Sequence, residues 1–258
     1  MTAVMDSPPP AVRTERAPVP RWAGLMVRPV LIAGVLLVLW LWVRGQELDS
    51  IEARNLNREE IGSQLVEHIE LTLICTVLTV AIAVPVGIAI SVTRSRAGRV
   101  IALGLGNLGQ AVPSVGLVVL LALVLSVGVG TAVIALVAYA VLPVLRNTMV
   151  GLEGVDPALT EAGRGMGLSR LSVLFTVELP LAVPVILAGI RTALVLTVAS
   201  APLAALIDGG GLGEGLFTGL SLDRPTISIT YGILVAALAL FTDWLGLLAE
   251  QFLRPQGI

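Results

Sequence analysis

Residues 156–180 read DPALTEAGRGMGLSRLSVLFTVELP, and this charged stretch, set inside an apolar chain, decides the fold. Asp156, Glu161, Arg164, Arg170 and Glu178 would each cost about 2.5–3.5 kcal/mol near a bilayer centre, on the order of 10 kcal/mol or more together. The stretch therefore lies outside the hydrocarbon. Its local signals predict two short helices joined at a hinge. Asp156 caps the first, and Pro157 suits its first helical position. Gly167 supplies the left-handed residue that ends it. Ser169 caps a second helix that stops before Leu179 and Pro180. Gly163, Gly165 and Gly167 leave backbone bare along the first helix, open to close approach by a partner. Each interior glycine costs about 1 kcal/mol relative to alanine, so this helix depends on packing for support.

Around this island the chain is strongly apolar. Of 258 residues, 56% are hydrophobic and only 13% charged, with a mean hydropathy of +0.95. Soluble domains carry about 25% charged residues, so the deficit predicts an all-α polytopic membrane protein. All 16 basic residues are arginine. Without lysine the sequence contains no phosphate-binding loop of the G-x-x-x-x-G-K-[ST] type, and any ATP that drives it is hydrolysed on another polypeptide. One cysteine, Cys75, and one histidine, His68, leave no internal disulfide and no His/Cys metal cluster to expect. The net charge of −2 gives no reason to expect a nucleic-acid partner.

Residues 1–25, rich in proline and arginine, read as a disordered N-terminal tail. Residues 26–68 hold a first span, 26–43, uncleaved for want of a small-x-small site, and then an acidic external segment that can form a short amphipathic helix. Residues 69–253 form the core. Its spans are 69–92, a broken third within 100–130, 131–149, 183–207 and 227–252, six in all. The third breaks near Pro113, because proline removes a backbone donor and clashes with the preceding turn. Eleven arginines, including Arg94, Arg96, Arg99, Arg164 and Arg170, fall on the side of the N-terminus. Four fall opposite, which places both termini and the island in the cytoplasm. Trp22, Trp40, Trp42 and Trp244 lie towards span ends as interfacial anchors.

The island's spacing resembles the EAA segment of ABC-importer permeases. Glu161 and Ala162 are followed by Gly167, and then by Val177, Leu179 and Pro180. Gly163 stands where that pattern has a second alanine, and Val177 replaces isoleucine. Three further stretches look like the osmoprotectant branch, which imports glycine betaine, choline, carnitine and related amines. They are QAVPSVGLVVLLALVLSVGVG, YAVLPVLRNTMVGLEGVDPALTEAGRGMG and ELPLAVPVILAGIRTALVLTVASAPLAALIDGGGLGEGLFTGL. Methionine, taurine and phosphonate permeases share this scaffold. The resemblance implies a type I (MetI-like) permease core whose cytoplasmic coupling helix docks in a groove of a separate ATPase. Glu161, Ala162, Gly163, Arg164, Gly165, Gly167, Ser169 and Arg170 would form the docking surface. It implies a dimer of ATPase subunits carrying ATP and Mg, an extracytoplasmic substrate-binding protein, and a second permease, identical or paralogous. The implied setting is the bacterial inner membrane and its lipid, with no cofactor and no catalytic residue on this chain.

Polar residues inside spans mark candidate passage positions: Gln110, Pro113 and Ser114 on the third span, Thr197, Ser200 and Pro202 on the fifth. Helix–helix hydrogen bonding is the simpler account of them. Asp208, Gly209, Gly210 and Gly211 form a turn that the resemblance places near an outer gate, and a plain surface turn fits them as well. Four Trp, two Tyr and four Phe are too few for a high-affinity cage around a quaternary ammonium within one copy. Gly104, Gly106 and Gly109 match G-x-G-x-x-G, but inside an apolar run they serve helix packing rather than a dinucleotide. Arg191 within the fifth span faces protein or water or, the reading preferred here, snorkels to the interface; Asp243 can pair with it or with Arg146. An intramembrane enzyme would need more acidic or histidine groups at depth, and a gradient-driven carrier leaves the island without a role.

Overall fold

The computed structural model describes residues 21–93 and 95–253. Residues 1–20, the bulk of the expected tail, lie outside them, as do Arg94 and Arg254. All regular secondary structure among the described residues is helical. In order they form α1 (Arg21–Arg44), α2 (Ser50–Asn55), α3 (Arg58–Thr93), α4 (Arg96–Ala111), α5 (Ser114–Val124) and α6 (Val129–Glu153). Then follow α7 (Pro157–Gly165), α8 (Arg170–Val173), α9 (Leu179–Ser200), α10 (Gly213–Ser221) and α11 (Pro225–Leu253). Five helical runs are long and apolar enough to cross a membrane, and a sixth crossing results if α4 and α5 count together. These two meet at 100° around Val112 and Pro113, the break expected from the proline.

The acidic segment is not separate from the second span, which was expected to begin at 69. Its second half is the start of α3, a 36-residue helix about 54 Å long against a hydrocarbon layer of about 30 Å. Asn57 begins it by accepting the Glu60 N–H at 2.8 Å, and Glu59 and Glu60 sit where the helix dipole favours acids. Only α2 forms the short helix foreseen there, with a capping box between Asp49 and Glu52.

Helix α6 is the centre of the bundle, packed between α3 and α9. Small residues set the approach. A Cβ on Gly189 would lie 2.6 Å from Asn147 Cβ, and one on Gly106 2.8 Å from Leu142 Cδ1. Gly109 likewise faces the Ala138 carbonyl, so Gly106 and Gly109 of the G-x-G-x-x-G match serve α4–α6 packing, whereas Gly104 faces open space.

Prolines inside helices free the carbonyl four residues back, and three such carbonyls are satisfied from another helix. Trp244 Nε1 donates to Leu25 O, which Pro29 leaves open, at 3.0 Å. Gln110 Nε2 donates to Tyr139 O, left open by Pro143, at 3.2 Å. His68 Nε2 lies 3.1 Å from Val198 O, left open by Pro202. Each bond supplies a partner that lipid cannot.

Arg191 is held by two acidic side chains of α11. Its Nε lies 3.5 Å from Asp243 Oδ1 and 3.3 Å from Glu250 Oε1, and Asp243 also pairs with Arg28. Gly246 leaves room for the Arg191 stem, whose Cγ would be 2.5 Å from a Cβ there. The network joins α1, α9 and α11. Arg146 pairs instead with Asn107, at 2.7 Å. Arg44 stacks on Trp40 at 4.0 Å.

Candidate functional site

Asp156 accepts the Ala158 N–H at 2.9 Å and starts α7. Gly167, at φ +86°, ends the segment in the left-handed region. Leu168 N bonds Gly163 O at 3.2 Å and Gly167 N bonds Arg164 O at 2.9 Å, the paired bonds of a Schellman stop. Ser169 then accepts from Ser172 N at 3.2 Å and starts α8.

The second helix does not stop where expected. It passes through a π turn, Leu174–Glu178, into α9, so that helix is continuous from Arg170 to Ser200. Leu179 donates five residues back to Leu174 O, and Pro180, with no N–H, loses no bond where this wide turn ends. The fifth span is thereby rigidly joined to the island.

Glu161, Ala162, Arg164, Gly165, Gly167, Ser169 and Arg170 are exposed together on the island. Gly163 is not: it is buried, facing Val173, Leu168 and Val177, and offers no bare backbone outward. Two apolar groups that the sequence reading passed over project beside this surface, Met166 at 76% exposure and Phe175 at 65%. Arg170 reaches back to Val92 O at 2.8 Å, fastening the island to the end of α3.

At the opposite end of the bundle, the glycine turn is stapled to α3. Asp208 (φ +56°) and Gly211 (φ +82°) both take left-handed backbone. Gly211 N donates to Glu67 Oε2 at 3.0 Å, and Gly215 N to Gln64 Oε1 at 3.2 Å. A Cβ on Gly213 would overlap the Pro202 carbonyl. Gln64, Glu67 and His68 are thus the partners of the turn, and spacing alone gave no sign of them. Glu214 begins α10 among Glu67, Glu60 and Asp208; burial first, and then these neighbouring acids, raise its pKa above the ordinary 4.5.

The candidate passage residues form two groups. Gln110, Pro113 and Ser114 form the α4–α5 elbow, with Gln110 spent on Tyr139 O. Thr197 is buried and bonds Ala193 O of its own helix at 2.8 Å, while Ser200 and Pro202 begin the 3₁₀ segment Ala201–Ile207. The groups are neighbours, because Val118 of α5 shares one apolar cluster with Ala201 and Ala204.

A bundle of candidate membrane helices thus carries an exposed capped helix pair at one end and a stapled glycine turn at the other, an arrangement that suits a transport permease. Comparison with known proteins agrees. Residues 83–255 match the family of binding-protein-dependent transport system inner membrane components. The choline transport system permease protein OpuBB of Bacillus subtilis is 40% identical over 78% of this chain and 92% of its own length. The osmoprotectant import permease protein OsmW of Salmonella typhimurium is 35% identical over 82% of this chain and its entire length. In fold, the inward-facing MetNI methionine ABC transporter aligns at a TM-score of 0.66 with 21% identity, covering 76% of this chain and 96% of that one. The chain belongs to the inner-membrane permease family of binding-protein-dependent ABC importers, in its osmoprotectant branch.

Proposed function

We propose that this chain is the membrane half of an ATP-driven importer that passes quaternary amines such as choline, glycine betaine or carnitine into the cytoplasm. The single observation that carries the substrate class is the 40% identity to a choline permease along 92% of that protein's length. Composition and packing agree with a passage rather than a trap. Tyr231 is buried, Trp40 is engaged by Arg44, and Trp244 by Leu25 and Phe241. Selective capture therefore falls to a separate extracytoplasmic binding protein.

In this reading the island faces the cytoplasm, as the arginine bias requires, and both termini lie on its side. Glu161, Gly165, Gly167 and Arg170 meet the ATPase subunit, with Met166 and Phe175 as apolar anchors. ATP and Mg bind on that partner. Closure of two ATPase subunits moves α7, and the continuous helix from Arg170 carries the motion into the fifth span. Two permease copies, identical or paralogous, enclose the path beside the α4–α5 elbow and residues 197–202.

Purification of the tagged chain from its native membrane in mild detergent tests this reading. An ATPase and a substrate-binding protein should co-purify with the wild type, and Gly167→Asp should lose the ATPase while still inserting. A chain that emerges alone, indistinguishable from Gly167→Asp, would contradict it.

A further inference from the structure

A cleft of about 710 Å³ opens between the end of α3, the start of α4, the end of α6 and the island. Arg96, Arg99, Arg164 and Arg170 line it against only two carboxylates, Glu153 and Glu178. Two of the guanidinium groups are already engaged, Arg99 with Glu153 and Arg170 with Val92 O. Arg96 and Arg164 have no ion-pair partner among the described residues. Two helices begin at this cleft: the positive end of α7 is already met by the Asp156 carboxylate, while that of α4, behind the neutral Ser95 cap, still favours negative charge. Excess arginine and the positive end of α4 call for an anion with several oxygens, for which the guanidinium fork is suited.

The apolar surface beside the cleft indicates the source of that anion. Val100 lines the cleft, and Ile101, Leu105 and Leu108 continue along α4, each more than 60% exposed. The other face of α4, Gly106 and Gly109, is the one packed on α6. A basic mouth opening onto an exposed apolar strip matches a phospholipid, with its phosphate among the arginines and its acyl chains along α4.

We infer that this cleft binds the phosphate of an anionic phospholipid, held between Arg96 and Arg164. The lipid would bridge the membrane-embedded α4 and the docking helix α7, so that it orders the island. The site is on the cytoplasmic leaflet in the orientation proposed above, but lipid retention does not depend on any ATPase, and the test is made on the permease alone.

The full chain, purified in mild detergent, is incubated with phosphatidylglycerol or with phosphatidylcholine of the same acyl chains, and bound lipid is counted by native mass spectrometry. Retention of phosphatidylglycerol should exceed that of phosphatidylcholine roughly tenfold. Arg96→Gln should remove most of that preference, and Arg96→Lys should keep part of it, with an unchanged elution profile showing both variants folded. Inorganic phosphate at millimolar concentration should not displace the lipid; displacement would overturn the lipid assignment in favour of a soluble phosphate. Equal retention of the two lipids, or a preference that survives Arg96→Gln, would overturn the site.

Discussion

His68 donates from Nε2 to the carbonyl of Val198 at 3.1 Å, across 130 residues of sequence. A carbonyl only accepts, so the proton sits on Nε2 and leaves buried Nδ1 without a partner. The bond exists because Pro202 has no N–H to offer Val198. It ties α3 to the point where α9 tightens into its 3₁₀ segment, next to the stapled glycine turn. His68→Leu should leave that carbonyl buried and unpaired, at a cost of about 1–3 kcal/mol. His68→Gln, which keeps a donor, should recover part of it. Thermal unfolding of the purified variants measures both, and equal stability of Leu and wild type would remove this role.

Two glycines of the island should respond oppositely to alanine. At Gly163 a Cβ would meet Val173 Cγ2 at 3.4 Å and Leu168 Cδ1 at 3.7 Å, ordinary contact distances. Gly163→Ala should stabilise α7 by up to about 1 kcal/mol. At Gly167 the backbone is at φ +86°, and Gly167→Ala should cost roughly 1 kcal/mol or more. Limited proteolysis of the island should slow for the first variant and quicken for the second.

These contrasts show what was legible in the sequence. Asp156, Gly167 and Ser169 act through neighbours a few residues away, so their caps could be read from spacing. The break at Pro113 follows equally from local chemistry. The continuity through Leu179 and Pro180 did not, because a proline that normally ends a helix is absorbed by a π turn. Gln64, Glu67 and His68 were invisible as partners of the glycine turn and the helix before it, since what they bind lies more than 100 residues on. The pairing of Arg191 with Glu250 was hidden because the two become neighbours only once α9 and α11 pack.

Asp243 sits between Arg28 and Arg191, all three of them only partly exposed. Asp243→Asn should leave two guanidinium groups facing one another and destabilise the chain by on the order of 1 kcal/mol. Adding Arg28→Gln to Asp243→Asn should cost less than the two single changes summed. Additive losses in unfolding temperature would show that the network is not coupled.

Glu214 should make stability depend on pH. Its carboxyl titrates higher in the folded chain than its ordinary 4.5, so the folded state holds that proton more tightly. Its contribution is therefore favourable below the unfolded value and is lost as pH rises through the folded one. Glu214→Gln should raise the unfolding temperature at neutral pH, and the advantage should vanish at or below pH 4.5. A constant difference across that range would contradict the assigned surroundings.

Uptake into proteoliposomes tests the central claim most directly. The chain is reconstituted with its co-purifying ATPase and binding protein, and radiolabelled choline, glycine betaine and methionine are offered with ATP on the island side. Choline or glycine betaine should accumulate only with hydrolysable ATP, and Gly167→Asp should abolish accumulation. Uptake that follows an ion gradient without ATP, or that favours methionine over both amines, would contradict the account.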